Sequence, residues 1–357
     1  MQQSNHLPAL DSLRGIAVLA VLLGHLDYYF FGRGFDLFPG GFIGVDLFFV
    51  LSGFLITRNL LHDINFYGRV RLGRFYQHRV LRLAPALLIF ILTMAPTLLL
   101  LNLVDGSDLV RAVLAAVFYV YNWFVYTTLT EVPGFGHLWS LSVEEQFYLL
   151  WPVLLCIFPP RNPFRRRLWM LVSALAIIGV YLLRQGLWNE GYSWLQLYVR
   201  TDLRADALLC GALLAFLEAQ GVLKPLGEGV RVPTALLSTL FVLATLSLGY
   251  DDAFLYKGGM SLIAILCTGL VYCAIACECK KRVRRISLAK TLGSLGRISY
   301  GVYVYHMPII MSLASDIGTH IINNEIVRLL LAIQATLLCA YLSYGLIERP
   351  AIDQKAP

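Results

Sequence analysis

The sequence predicts an all-α polytopic membrane protein, and three observations predict it. Hydrophobic residues make up 58% of the 357 and charged residues only 14%; mean hydropathy is +0.68; and apolar runs approaching the ~20 residues that cross a bilayer recur from one end of the chain to the other. In lipid each backbone N–H and C=O must be satisfied within its own segment, so such runs form helices. Residues 1–357 are read as one integral membrane domain.

The first run, "LDSLRGIAVLAVLLGHLDYYF", falls within a span at 10–31. It begins too late, runs too long and lacks the small-residue cleavage pattern of a removable signal, so it reads as an uncleaved span. Further spans are predicted at 41–57, 83–104, 141–158, 168–184, 203–220, 232–248, 258–277, 295–317 and 325–347, which makes about ten. The stretch 110–124 is short and carries Arg111 at its start. It reads as a re-entrant segment, which implies a cavity, because irregular backbone at membrane depth lines protein or water.

Charge decides between ten spans and eleven. With ten, the loops 58–82, 159–167, 220–231 and 278–297 hold nineteen of the 29 Lys and Arg and share one side, the cytoplasmic one, with both termini. Eleven would place "RNPFRRR" and "KKRVRR" outside. The net charge of +7 therefore follows membrane topology and does not point to nucleic acid. The seven cysteines, at 156, 210, 267, 273, 277, 279 and 339, lie in or beside spans, so neither disulfides nor a metal site is expected.

Chemistry-bearing residues interrupt the apolar runs. Arg14 and His25 are eleven apart, about 1100° of helix, so they share a face roughly 16 Å apart. Ionisable groups within a span are costly and mark function by default. Asp46 in "GGFIGVDLFFVLSGFLITR" is placed at a depth similar to His25, where a carboxylate supports a histidine as proton acceptor. Arg79 and Arg82, three apart just before the third span, present two guanidinium groups on one face, suited to phosphate. Inner-loop arginines also arise merely to set topology.

At the outer end of the fourth span, "GHLWSLSVEEQFYLLWP" gathers His137, Trp139, Glu144 and Glu145, and paired glutamates are not interfacial anchors. "RTDLRADALLCG" brings Arg204 and Asp206 into the start of the sixth span, as an ion-pair ladder or a sugar-binding pocket. Towards the C-terminus stand "GRISYGVYVYHMP", with His306, and "ERP" at 348–350. No G-x-S-x-G elbow and no P-loop occurs, which removes serine-hydrolase and P-loop readings.

Taken together, Arg14 and His25, "GVDLFFVLSGFLIT", Arg79 and Arg82 before "LAP", "HLWSLSVEEQFYLLWP", "SYGVYVYH" and "ERP" resemble acyltransferase family 3 over nearly the whole chain. The resemblance implies an O-acetyltransferase of the bacterial inner membrane. It would move an acyl group, commonly acetyl from acetyl-CoA, to a hydroxyl of a surface polysaccharide or lipid-linked glycan, or of a small molecule such as a macrolide. It further implies that Arg14, Arg79 and Arg82 hold CoA phosphates and that His25 acts as base, with Asp46 or Glu144 on its other nitrogen. His137, Trp139, Glu145, Arg204 and Asp206 would face the acceptor. Membrane lipids surround the chain, and a periplasmic acceptor protein is an optional partner. The closing "IERPAIDQKAP" resembles the stand-alone type without a C-terminal hydrolase-like domain. An exporter of a glycan or small anion is the rival from another class, weakened because the Arg-x10-His helix has no second copy.

Overall fold

Helix boundaries follow from local signals. In the computed structural model, which describes residues 7–32, 37–223, 227–278 and 287–350, every regular element is helical. Pro8 opens α1 (Pro8–Leu26), where its missing N–H costs nothing. Glycine in the left-handed region at Gly68 ends α2 (Ile43–Tyr67), and α3 (Leu72–Leu100) follows after four residues. Asp105 caps α4 (Gly106–Val117) by accepting from the Ser107 N–H at 2.8 Å. Next come α5 (Tyr121–Thr128) and α6 (Leu138–Ile157). Asn162 and Pro163 open α7 (Pro163–Asn189), and a Ser193–Gln196 capping box opens α8 (Trp194–Val199). The remainder are α9 (Thr201–Ala219), α10 (Arg231–Ser247), α11 (Met260–Glu278), α12 (Ser287–Arg297), α13 (Ser299–Ala314), α14 (Asp316–Ile321) and α15 (Glu325–Ser343).

Six described helices are long and apolar enough to cross a membrane: Pro8–Phe31, Ile43–Tyr67, Leu72–Leu100, Pro163–Asn189, Leu255–Ala276 and Glu325–Glu348. The chain is therefore a multi-pass membrane protein, while the expected count of about ten is not established. The sixth and ninth helices have span length but carry charged residues, buried in α9 and half-buried in α6, and α10 has only 17 residues. The run predicted at 295–317 is interrupted at Ile298, between α12 and α13. The stretch 110–124 is divided between α4 and α5, of 12 and 8 residues, and neither is long enough to cross. "KKRVRR", Cys279 and the last seven residues lie outside the described residues.

The predicted inner loop 58–82 is mostly helix. Residues up to Tyr67 continue α2, and α3 starts at Leu72, eleven residues before the predicted span. Helix propagation needs no apolar side chains, so it continues past the hydrophobic run on which the prediction rested. Arg79 and Arg82 accordingly sit inside α3, away from the positive helix N-terminus.

Small residues let the central helices meet at backbone distance. Gly53 on α2 lies against the Leu208 carbonyl of α9, and Gly211 on α9 lies against the Val50 carbonyl of α2; a Cβ at either position would overlap backbone. The same reciprocal contact joins α1 to α12 through Gly15 and Gly296. Large apolar side chains of α7, among them Leu171, Leu175, Ile178 and Leu182, point outward, as a lipid-facing surface requires. Three π-helical turns interrupt the pattern at Asp27–Phe31, Leu255–Gly259 and Tyr344–Glu348. Such turns are frequent at functional sites, and the first begins two residues after His25.

Candidate active site

His25 stands in the last turn of α1, and its Nδ1–H donates to the Val21 carbonyl at 2.9 Å. A carbonyl only accepts, so Nδ1 carries the proton and Nε2 keeps its lone pair. Two more imidazoles adjoin it. His306 on α13 is 1% exposed, with its ring centroid 4.9 Å from that of His25. His137, leading into α6, is 3% exposed and 5.1 Å from His306. His306 Nδ1–H donates to the Tyr303 carbonyl at 2.6 Å, and His137 Nε2–H donates to the Val304 carbonyl at 3.1 Å. Each ring thus commits one N–H to backbone, and His306 Nε2 and His137 Nδ1 are left buried without a partner. Buried polar atoms left in that state demand an explanation, and a bound substrate or water supplies one.

A cavity of about 50 Å³ approaches this cluster, lined by Arg14, Phe48, Ser140, Glu144, Ser299 and Tyr303 among others. The Tyr303 hydroxyl pairs with Ser140 and donates to the His137 carbonyl at 3.0 Å, and its ring lies 5.5 Å from both His137 and His306. The lining therefore connects Arg14 with the neighbours of the histidines. Among the described residues, Arg14 and Arg82 make no hydrogen bond or ion pair, and Arg82 Nε is buried without a partner. The two guanidinium groups lie within electrostatic range of each other and of Glu348. Two cations beside one carboxylate leave an excess of positive charge, which favours an anion.

The other arginine of the pair is engaged elsewhere. Arg79 Nε donates to Glu145 at 2.8 Å, and its guanidinium lies 3.2 Å from the Tyr148 ring centroid. Sequence placed Arg79 at the inner edge of one span and Glu145 at the outer end of another; the structure brings them to one level. The reason is packing: α3 and α6 lie side by side, and both charges sit about two turns inside their helices, where each needs the other.

Neither carboxylate expected on His25 reaches it. The histidine is four residues past Val21, and helix geometry brings that carbonyl to its Nδ1. Asp46 instead accepts from Arg204 Nη2 at 2.7 Å, because a carboxylate 1% exposed in the core requires a charge partner. Glu144 accepts from Ser52 and, at 2.6 Å, from the Tyr148 hydroxyl. It lines the cavity all the same.

The expected acceptor residues divide. His137 joins the histidine cluster. Trp139 packs on Tyr198, with centroids 4.6 Å apart, and beside Arg204. Arg204 and Asp206 do not pair with each other along α9: Asp206 binds Arg184 at 2.9 Å and Ser261 at 2.8 Å. None of Trp139, Arg204 and Asp206 lines the cavity. Sequence reasoning named His306 without a role and missed Arg184. His306 had a usable signal, since Ser299, Tyr303 and His306 recur at i, i+4 and i+7. Arg184 had none, because an arginine ending an apolar run reads as snorkelling.

Over 97% of its length the chain is 34% identical to the peptidoglycan O-acetyltransferase OatA of Listeria monocytogenes, of which it covers 56%. It is 33% identical to the putative peptidoglycan O-acetyltransferase YrhL of Bacillus subtilis, over 99% of this chain and 56% of that one. It is 30% identical to the O-acetyltransferase OatA of Staphylococcus aureus, over 98% and 58%. The chain thus spans a little more than half the length of these relatives. No solved structure matches it. The profile of a family described as an acyltransferase domain matches residues 7–345, and the chain belongs to that family, acyltransferase family 3.

Proposed function

We propose that this chain transfers an acetyl group from cytosolic acetyl-CoA to a hydroxyl of a carbohydrate acceptor across the bacterial cytoplasmic membrane, with both termini on the cytoplasmic side. The observation that carries the reading is a cavity that runs from Arg14, near Arg82, to Tyr303, whose ring packs on His306 beside the free imidazole nitrogen of His25. The names of the relatives, which specify peptidoglycan for two of them, favour a glycan acceptor.

In this reading the phosphates of CoA rest on Arg14 and Arg82, displacing their interaction with Glu348, and the thioester lies in the cavity. A carbohydrate hydroxyl attacks the acetyl carbonyl carbon while His25 Nε2 takes its proton. The C–S bond then breaks, and the thiolate takes that proton to leave as CoA thiol. The Nδ1–H bond to Val21 holds the ring with Nε2 available throughout. A partner protein or domain that takes the acetyl group in place of the carbohydrate and delivers it there belongs to the same proposal.

The test is radiolabelled acetyl transfer by the purified protein in detergent, together with calorimetric binding of acetyl-CoA. Binding and acceptor-dependent release of CoA thiol are expected. A protein that binds no acetyl-CoA overturns the reading in favour of an exporter.

A further inference from the structure

The loop 129–137 leads into His137 and is held rigidly from beneath. The Val132 N–H donates to the buried Tyr121 hydroxyl at 3.0 Å, the Gly134 N–H approaches Met311 sulfur at 3.2 Å, and Phe135 is fully buried. Glu131 folds back over this loop so closely that a Cβ at Gly136 would overlap its carboxyl group. The residue keeps contact with solvent, although the loop around it partly desolvates its carboxyl group, and among the described residues it makes no hydrogen bond or ion pair.

Its surroundings point to a ligand. Tyr29, Tyr121 and Tyr303 lie within electrostatic range of Glu131. Tyr29 follows His25 by four residues, in the π-helical turn Asp27–Phe31, so it stands one turn beyond His25 on the same side of that helix. Its hydroxyl also has no partner among the described residues. The same loop ends on His137, whose Nδ1, like Nε2 of the adjoining His306, is unpartnered, on side chains 3% and 1% exposed. One accessible carboxylate, one phenol and two buried imidazole acceptors together lack donors. Hydroxyl groups are donors, and an aromatic face packs against the C–H face of a sugar ring.

We propose that Glu131 and Tyr29 form the acceptor subsite, with Glu131 accepting hydrogen bonds from the hydroxyls of a carbohydrate and Tyr29 packing on its ring, above His25 and apart from the donor cavity at Arg14. The proposal rests on the reading of the chain as a carbohydrate acetyltransferase, and it is tested separately from that reading. Both residues are positioning residues, not catalytic ones.

The probe is chitotetraose, titrated against the full chain in detergent by saturation-transfer NMR, with acetyl-CoA binding measured in parallel. The wild type is expected to bind the oligosaccharide. Glu131→Gln and Tyr29→Ala are each expected to weaken it tenfold or more, leaving acetyl-CoA affinity and melting temperature within twofold and two degrees of wild type. Tyr29→Phe keeps the ring and should retain most of the affinity. Wild-type protein that binds acetyl-CoA but not the oligosaccharide, or variants that bind the sugar as wild type does, overturn the subsite. Variants that lose sugar and acetyl-CoA binding together with melting temperature overturn it too, in favour of a role in loop folding. Absence of acetyl-CoA binding in the wild type counts against the function instead.

Discussion

His306 lies edge-on to His25, ring centroids 4.9 Å apart and planes inclined by 64°, although 281 positions separate them in the chain. This contact places a second imidazole beside the proposed base, where it packs on the ring and holds its orientation. His25→Ala should abolish acetyl transfer, about 10²- to 10⁴-fold, while the protein remains inserted and abundant. His306→Gln should lower kcat with acetyl-CoA affinity unchanged. Normal turnover in either variant, measured by CoA release, would remove that residue from the chemistry.

The arginine pair should separate into two phenotypes. Arg82, with no partner, is free to hold phosphate, so Arg82→Ala should weaken acetyl-CoA binding about 10- to 100-fold, the value of one lost charged hydrogen bond of about 1.5–3 kcal/mol. Melting temperature should hold. Arg79→Ala leaves Glu145 unpaired within the bundle and should lower melting temperature first. Lysine should rescue neither fully, for want of the planar fork. Equal effects of the two substitutions on donor affinity would reject this division.

Asp46 and Arg204, 2.7 Å apart and each about 1% exposed, join α2 to α9. Removing one charge strands the other, so Asp46→Asn or Arg204→Met should cost about 3–5 kcal/mol, and the double variant less than either single one. Thermal unfolding in detergent measures this. Additive losses in the double variant would mean that the pair is not coupled.

Acceptor binding should depend on pH through Glu131. Desolvation by the surrounding protein raises its carboxyl above the usual carboxylate range. The ionised form is the hydrogen-bond acceptor, so affinity for chitotetraose should be full above the raised value and fall as pH drops through it. That decline begins at a less acidic pH than for an ordinary glutamate. In Glu131→Gln it should vanish; an unchanged profile in that variant would assign the titration to another group.

Membrane sidedness is open to single-cysteine labelling with an impermeant thiol reagent, in a background with native cysteines replaced. The expected result on intact cells is labelling in 125–137 and 249–254 and none in 159–162. The reverse pattern would invert the proposed topology and place the donor arginines on the wrong side for a cytosolic thioester.

The sequence by itself determined the class of the fold and the chemistry it carries. Apolar runs of span length allow only helices in lipid, and arginine and histidine at a spacing of eleven fall on one helix face, because both are consequences of local geometry. Helix termini were less legible, since the polar stretch before Leu83 is helical for reasons of propensity rather than hydropathy. Partnership was not legible at all. Whether Asp46 faces His25 or Arg204, whether Arg79 holds phosphate or Glu145, and that His306 and His137 join His25 depend on how helices distant in sequence rotate and slide against one another. Close glycine contacts and buried charge set that arrangement: Gly53 and Gly211 bring α2 and α9 to backbone distance, and once they touch, the buried carboxylate of Asp46 takes the nearest cation, which is Arg204.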